Sequence, residues 1–412
     1  MNHASHIPSF QAKWTAANSH LKPYEPGKLE KIARVVGTVA WNIISLLIPV
    51  ILVVRIIGWV VAGLSKRATL PAAHFYTPEQ LQEIRDVFDA HCFGPRTPQN
   101  NELRKAFSVQ RYNVQTPDGV SLSTIHFRHK HATADTRTII YYQPNMSVSE
   151  LFIHSWLMKE AIRRGIPCNF IVYDSRSVSF SEGDLEGPEK LILDGDTIYQ
   201  FAVDHLHVPP EILDMDGWSL GGGVSSNIKA IHPECTGRYV NERSFSSTSA
   251  VVQSHLENSW WKKLLLFWFP YAMRMTHWDF ASPIDKVNGP VMIVHHPNDP
   301  TIPYSASCHK AAILSRKVFH SVRLQDNDWL KMARIANFKI YDHAHPLTDY
   351  EVGGPYNRKG ADQVVADFLL GPKREEKQSE ARKTHLQEMQ ARRKRRLEMQ
   401  QKFSEVSASS VA

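Results

Sequence analysis

Residues 214–223 read DMDGWSLGGG. Within them Gly217-Trp218-Ser219-Leu220-Gly221 spells Gly-x-Ser-x-Gly. A sharp turn from strand into helix can lift a serine out of the chain at such a place. Glycines on either side let strand and helix pass where a Cβ would clash. The flanks suit this reading, with an apolar run at 212–215 before the serine and a helical pattern from Gly222 to Ile231 after it. A glycine-rich bend with no chemistry has the same five-residue signature, so the remaining parts must be found elsewhere. Asp214 and Asp216 stand where a central strand should be apolar, and an unpaired carboxylate there is costly.

Outward from the serine, buried-strand runs alternate with helical patterns. Strands are expected at 138–142, 169–173, 212–215, 238–241, 291–295 and 338–341, with helices such as 187–206 and 222–231 between them. That alternation predicts a mostly parallel sheet with helices on both faces. Ahead of it, FSVQRYNVQTPDGVSLSTIHFRHK alternates apolar and polar residues around Pro117-Asp118-Gly119, as an antiparallel hairpin does. The 46 positions from Asp299 to His345 exceed a minimal loop–helix–strand, which predicts an insertion near 322–333.

A serine hydroxyl needs a base, a group that orients the base, and donors for the developing oxyanion. In a parallel sheet these come from loops at the carboxyl ends of the strands. Asp299, in VMIVHHPNDPTIP, follows the strand expected at 291–295 and is the acid candidate, the alternative being an Asx-turn cap. The base candidates lie in FKIYDHAHPLTD. His345 is preferred because it precedes Pro346, where the loop should turn over the sheet, and His343 is the alternative. The order Ser219, Asp299, His345 is one that a nucleophile on such a turn uses. The oxyanion donors should be the Leu220 N–H and that of Asn145 or Met146, in the loop after 138–142. His295, His296, His343 and His345 match no zinc spacing, so no metal and no cofactor is expected.

These residues carry a resemblance. The stretch from about Phe107 to Leu370 resembles an α/β-hydrolase, in Gly217-Trp218-Ser219-Leu220-Gly221-Gly222, in Asp299-x-x-Ile302-Pro303 and in a histidine followed by proline. YDSRSVSFSEG, from Tyr173 to Gly183, resembles that family's Asp-x-Arg-x-x-Gly-x-Ser-x-Gly segment, with Ser179 in place of the first glycine. The family's usual His-Gly in the oxyanion loop is absent. NERSFSS and the N-terminal apolar run are similar to chlamydial CHLPS-type hydrolase-like proteins of intracellular bacteria. The resemblance implies an α/β-hydrolase fold and a serine hydrolase acting on an ester or thioester. The alternative is a non-catalytic, membrane-tethered interaction protein that keeps the fold.

The rest of the chain bears on where this chemistry would occur. VVGTVAWNIISLLIPVILVV is a twenty-residue run without charge, and the apolar stretch resumes after Arg55 to Leu64. Twenty such residues suffice to cross a hydrocarbon core. Residues 35–64 are therefore expected to be a membrane segment, a tilted helix or one kinked at Pro49 that re-enters. Basic residues on both flanks weakly favour both ends on the cytosolic side. The expected organisation is a polar N-terminus (1–34), this segment (35–64), a linker helix (65–106), the hydrolase domain (107–371) and a basic helical tail (372–412), with a weak coiled coil as one reading of the tail.

Within the hydrolase domain, 245–288 would form a lid. Its aromatic stretch SWWKKLLLFWFPYAMRMTHW suits contact with acyl chains, or equally a core helix. An acyl ester or lipid is thus the expected substrate. The net charge is +7, but 371–412 alone holds 11 Lys or Arg against 6 Glu, so the body is not basic and nucleic acid is not an expected partner. Four widely spaced cysteines without Cys-x-x-Cys suit a reducing compartment.

Overall fold

The computed structural model describes residues 7–23, 28–47, 76–98, 100–145, 147–256, 279–335, 343–353 and 358–371. Among the described residues its centre is a nine-stranded sheet of order β1 (Ser9–Gln11), β2 (Phe107–Gln115), β3 (Ser121–His129), β5 (Asn169–Tyr173), β4 (Thr138–Tyr142), β6 (Leu213–Trp218), β7 (Tyr239–Glu242), β8 (Val291–His295) and β9 (His320–Arg323). The expected hairpin is β2 (Phe107–Gln115) and β3 (Ser121–His129), antiparallel from Phe107 opposite His129 to Gln115 opposite Ser121. Gly119 takes the turn with φ +88°. β3 then meets β5 (Asn169–Tyr173) antiparallel. From β5 onward all neighbours are parallel: β4 (Thr138–Tyr142), β6 (Leu213–Trp218), β7 (Tyr239–Glu242), β8 (Val291–His295) and β9 (His320–Arg323).

The inner parallel strands β4 to β8 are buried on both faces, as strands covered by helices on each side are. Alternate residues feed two cores. Ile140, Met215, Tyr239 and Ile293 pack in one with Leu191, Val224 and Ile228. Ile139, Tyr141, Val240 and Val294 pack in the other with Leu157, Val365 and Leu369. The helices behind these cores are Pro188–Gln200 and Leu220–Ile231 on the first face, Trp156–Arg164 and Ala361–Leu369 on the second. The helix expected at 187–206 ends as α-helix at Gln200 and continues through one π-helical turn, Phe201–His205.

The segment that resembles the family's Asp-x-Arg motif ties the hairpin turn to the helix Pro188–Gln200. Arg176 is buried and donates to Asp194 at 2.7 Å and Asp118 at 3.1 Å. Ser177 and Ser179 hold φ of +66° and +52°, the left-handed region that glycine normally occupies.

The N-terminus is part of this body. β1 (Ser9–Gln11) adds parallel to β2, and Gln11 Nε2 donates to the Thr116 carbonyl at 2.8 Å. Lys13 N–H donates to Gln200 Oε1 at 3.0 Å, and buried Asn18 donates to Asp196 Oδ2 at 2.7 Å. After the gap at 48–75, the helix Pro78–Cys92 returns to the body, opened by a capping box between Thr77 and Gln80. Its Arg85 bonds Glu150 at 3.2 Å.

Several expectations change. The insertion near 322–333 is β10 (Gln325–Asp326) and a helix Asp328–Ile335. β10 opens a separate antiparallel sheet with β11 (Tyr350–Val352) and β12 (Lys359–Gly360). The far edge of the main sheet is His320–Arg323, a segment not expected to be a strand. The strand expected at 338–341, most of the aromatic stretch (257–278) and the tail from 372 lie outside the described residues. The apolar run begins in α1 (Lys28–Leu47), where Val35, Val36 and Val39 are exposed. Among the described residues no helix is long and apolar enough to cross a membrane, and 48–64 lie outside them. The spanning helix expected over 35–64 is therefore not seen.

Candidate active site

Ser219 follows directly on β6, in the middle of the sheet, and the helix Leu220–Ile231 starts at the next residue. Its backbone is strained at φ +55°, ψ −116°. The flanking glycines are sterically required. A Cβ on Gly217 would lie 2.2 Å from Ser225 Oγ and 2.6 Å from the Gly221 carbonyl oxygen. A Cβ on Gly221 would lie 2.0 Å from the Tyr142 carbonyl oxygen, at the end of β4. The Ser219 N–H donates to the Glu242 carbonyl at 2.8 Å, fixing the turn against β7.

The Ser219 hydroxyl meets His343 Nε2 at 2.6 Å, and His343 Nδ1 meets Asp299 Oδ2 at 2.8 Å. With the hydroxyl donating to Nε2, Nδ1 carries the proton and donates to Asp299. The other Asp299 oxygen accepts the N–H groups of Thr301 and Ile302 at 2.8 and 2.9 Å. Burial raises the Asp299 carboxyl, but the bond and charge of His343 with these two N–H groups outweigh it, leaving the carboxyl below its usual range.

The structure thus brings His343, not His345, to the serine. His345 faces another way: its Nδ1 meets Asp349 Oδ2 at 2.9 Å, and its backbone carbonyl accepts Arg243 Nη1 at 2.6 Å. Two imidazoles two residues apart in one loop compete for one position, and these bonds hold His345 out of it.

For the oxyanion, Leu220 occupies the first position of its helix, where an N–H has no acceptor within the helix. Asn145 lies in the loop after β4, whose first residues abut the elbow; Met146 lies outside the described residues. Pro144 has no N–H to offer. A cavity of about 30 Å³, lined among others by Gln143, Pro144, Leu220 and Gly221, opens here. It has room for a water-sized group.

The two aspartates have different environments. Asp214 pairs with Arg137, just before β4, through Oδ2 at 2.5 Å, and also accepts the Arg238 N–H at 2.5 Å. Asp216 is wholly buried, and among the described residues neither of its oxygens has a hydrogen-bond partner. Burial first, then the neighbouring Glu242, push its carboxyl well above the usual range, so it is held uncharged.

Among the described residues no cluster of His, Cys, Asp or Glu is arranged to hold a metal ion. His295 stacks on His309 with ring centroids 3.7 Å apart, and His296 faces Asp326 at 3.6 Å.

Sequence reading missed Arg243. It is buried, holds φ +47° and directly follows β7 beside the elbow. Its sequence signal is NERSFSS, where it follows the expected strand at 238–241.

No family model matches the chain. An uncharacterised protein of Acanthamoeba polyphaga mimivirus is 24% identical over 213 residues, covering 50% of this chain and 69% of that protein. Among solved structures, an acetyl xylan esterase from a Paenibacillus species is 13% identical with a TM-score of 0.43, covering 62% of this chain and 93% of its own. A hyperthermophilic esterase from Pyrobaculum calidifontis is 14% identical with a TM-score of 0.39, covering 59% and 83%. The chain's own geometry defines the fold. A mostly parallel sheet, a strained strand-to-helix elbow at its centre, and Ser219 after β6, Asp299 after β8 and His343 later in the chain, in that order, make this an α/β-hydrolase fold.

Proposed function

We propose that this protein is a serine hydrolase that cleaves an ester or thioester through Ser219, His343 and Asp299. The observation that carries this reading is the unbroken chain from Ser219 Oγ to His343 Nε2 and from His343 Nδ1 to Asp299, at 2.6 and 2.8 Å on a strained elbow. The Ser219 oxygen bonds to the acyl carbon as its proton passes to His343 Nε2. The carbonyl oxygen takes the negative charge and is met by the Leu220 N–H, with a second donor from the loop holding Asn145. Collapse breaks the acyl bond, and His343 returns the proton to the leaving alcohol or thiol. Water then enters by the same path and frees Ser219. Asp299, held ionised by His343 and by its two N–H donors, orients His343 and stabilises its cationic form. Hydrogen-bond contact among all three side chains counts against a fold kept without chemistry.

Acyl lipids are the proposed substrate class, with the protein at a membrane and the hydrolase domain in a reducing compartment. Support comes from the uncharged run in 35–54, the exposed valines of α1 and the four buried, unpaired cysteines.

A fluorophosphonate probe is expected to label the full-length protein, and a short-chain p-nitrophenyl ester to be hydrolysed. Ser219→Ala should abolish labelling and lower kcat by about 10⁴-fold or more. His343→Ala should fall to a similar level, whereas His345→Ala keeps most of the activity. A wild-type protein inert to both reagents, or a Ser219→Ala variant that still turns over, sinks the proposal.

A further inference from the structure

We infer that Arg243 is a positioning residue that fixes the His343 loop against the nucleophile elbow; the inference rests on the hydrolase reading above. β7 lies between β6, which leads to Ser219, and β8, which leads to Asp299. Arg243 follows the end of β7, so its side chain starts between the loops that carry the reacting groups.

Three contacts bind those loops together. Arg243 Nη1 donates to the carbonyl of His345, two residues beyond His343, at 2.6 Å. The guanidinium lies over the ring of Trp218, the residue before Ser219, 4.8 Å from its centroid. It also pairs with the carboxylate of Glu242, whose backbone carbonyl accepts the Ser219 N–H at 2.8 Å. The ring of Tyr350, where the loop enters β11, lies 5.8 Å away. One side chain therefore touches the elbow, the strand that anchors the elbow, and the loop holding the imidazole.

The chemistry of this place suits arginine and no other side chain. A planar guanidinium can stack on an indole, pair with a carboxylate and donate to a carbonyl at once; a lysine ammonium cannot. The Trp218 indole N–H has no acceptor among the described residues, so its ring relies on packing and on this cation for its position. The backbone points the same way. Arg243 holds φ +47°, a conformation that costs energy for any residue with a Cβ and that clusters at functional sites. Its own N–H donates to the Val294 carbonyl of β8 at 2.8 Å, so the strain is maintained by the sheet. The contact to the His345 carbonyl also explains why His343, and not its neighbour, reaches Ser219. Pinning the chain at residue 345 leaves His343 as the imidazole turned toward the elbow.

The test uses full-length protein and the variants Arg243→Lys and Arg243→Gly. Glycine suits the local backbone but leaves Glu242 buried without its partner, so the double variant Glu242→Gln/Arg243→Gly is made alongside. Two readouts are taken. The first is kcat and KM on the p-nitrophenyl ester together with the rate of fluorophosphonate labelling. The second is the downfield proton resonance of the His343–Asp299 hydrogen bond, which needs no turnover.

For Arg243→Lys, kcat should fall by about tenfold to a hundredfold with KM little changed, the cost of a misplaced catalytic group. The resonance should broaden, and free guanidinium should restore part of the rate to the glycine variants. Folded variants that keep the wild-type rate and a sharp resonance overturn the inference. So does a fall in rate that only tracks a lower Tm and is not rescued by guanidinium. If the wild type shows the resonance, loses it in Arg243→Lys and yet never reacts with the ester or probe, the positioning role stands and the hydrolase proposal fails.

Discussion

Asp216 sits three positions before the nucleophile with neither oxygen hydrogen-bonded among the described residues. An acid whose folded pKa is raised binds more protons folded than unfolded, so stability declines as pH climbs through that window. For Asp216 the window opens near the ordinary carboxylate value of about 3.9 and extends upward to its raised folded value. Asp216→Asn should therefore gain Tm relative to wild type between about pH 4.5 and pH 8, by a few degrees, measured as paired melting curves. A difference that is flat across that range would show the carboxyl is not held protonated.

The residue scale is also where the sequence was least legible. Ser219 and Asp299 were readable because each follows an apolar strand and each has local turn chemistry, glycines in one case and Thr301 and Ile302 in the other. His343 and His345 share one loop and have no local feature that separates them. Their difference is imposed by Asp349 and by Arg243, the latter about a hundred positions away in sequence. Proline after His345 was a misleading cue, since it says where the chain turns and not which ring faces the sheet.

The elbow works as a unit because two strand ends and one helix start converge within a few ångströms. Gly221→Ala is expected to force the helix away from the Tyr142 carbonyl, losing about 1–3 kcal/mol of stability. Labelling by the fluorophosphonate should fall with it. Gly223→Ala should be milder, because its Cβ would meet the movable ring edges of Phe245 and Phe280 at 3.0 and 3.1 Å. Equal losses in chemical denaturation would refute the distinction. β4, β5 and β8, buried throughout, are legible as apolar runs. β9 is not, because as an edge strand it buries only Val322 of its four residues. β1 and β10 to β12 are two or three residues long, and their pairing is set by partners distant in sequence.

On the scale of the whole molecule, the sheet and its two faces followed from strand–helix alternation. The attachment of the N-terminal arm did not, because nothing polar in residues 7–23 announces a partner near residue 115. That arm changes what the apolar stretch can do. Residues 9–18 are hydrogen-bonded to β2 and to the helix Pro188–Gln200, and the helix Pro78–Cys92 is bonded back to the same body through Arg85. Any path between them leaves one folded unit and returns to it. With both of its ends on that unit, the stretch between them could cross a bilayer only an even number of times, zero included. Cysteines placed at the exposed positions Ser19 and Gln82 should react with a membrane-impermeant maleimide together, or be shielded together, in sealed vesicles. Labelling of one without the other would mean the arm detaches from the sheet edge at the membrane. A three-residue strand thus sets whether residues 9–18 and the helix Pro78–Cys92 must share one side of any membrane.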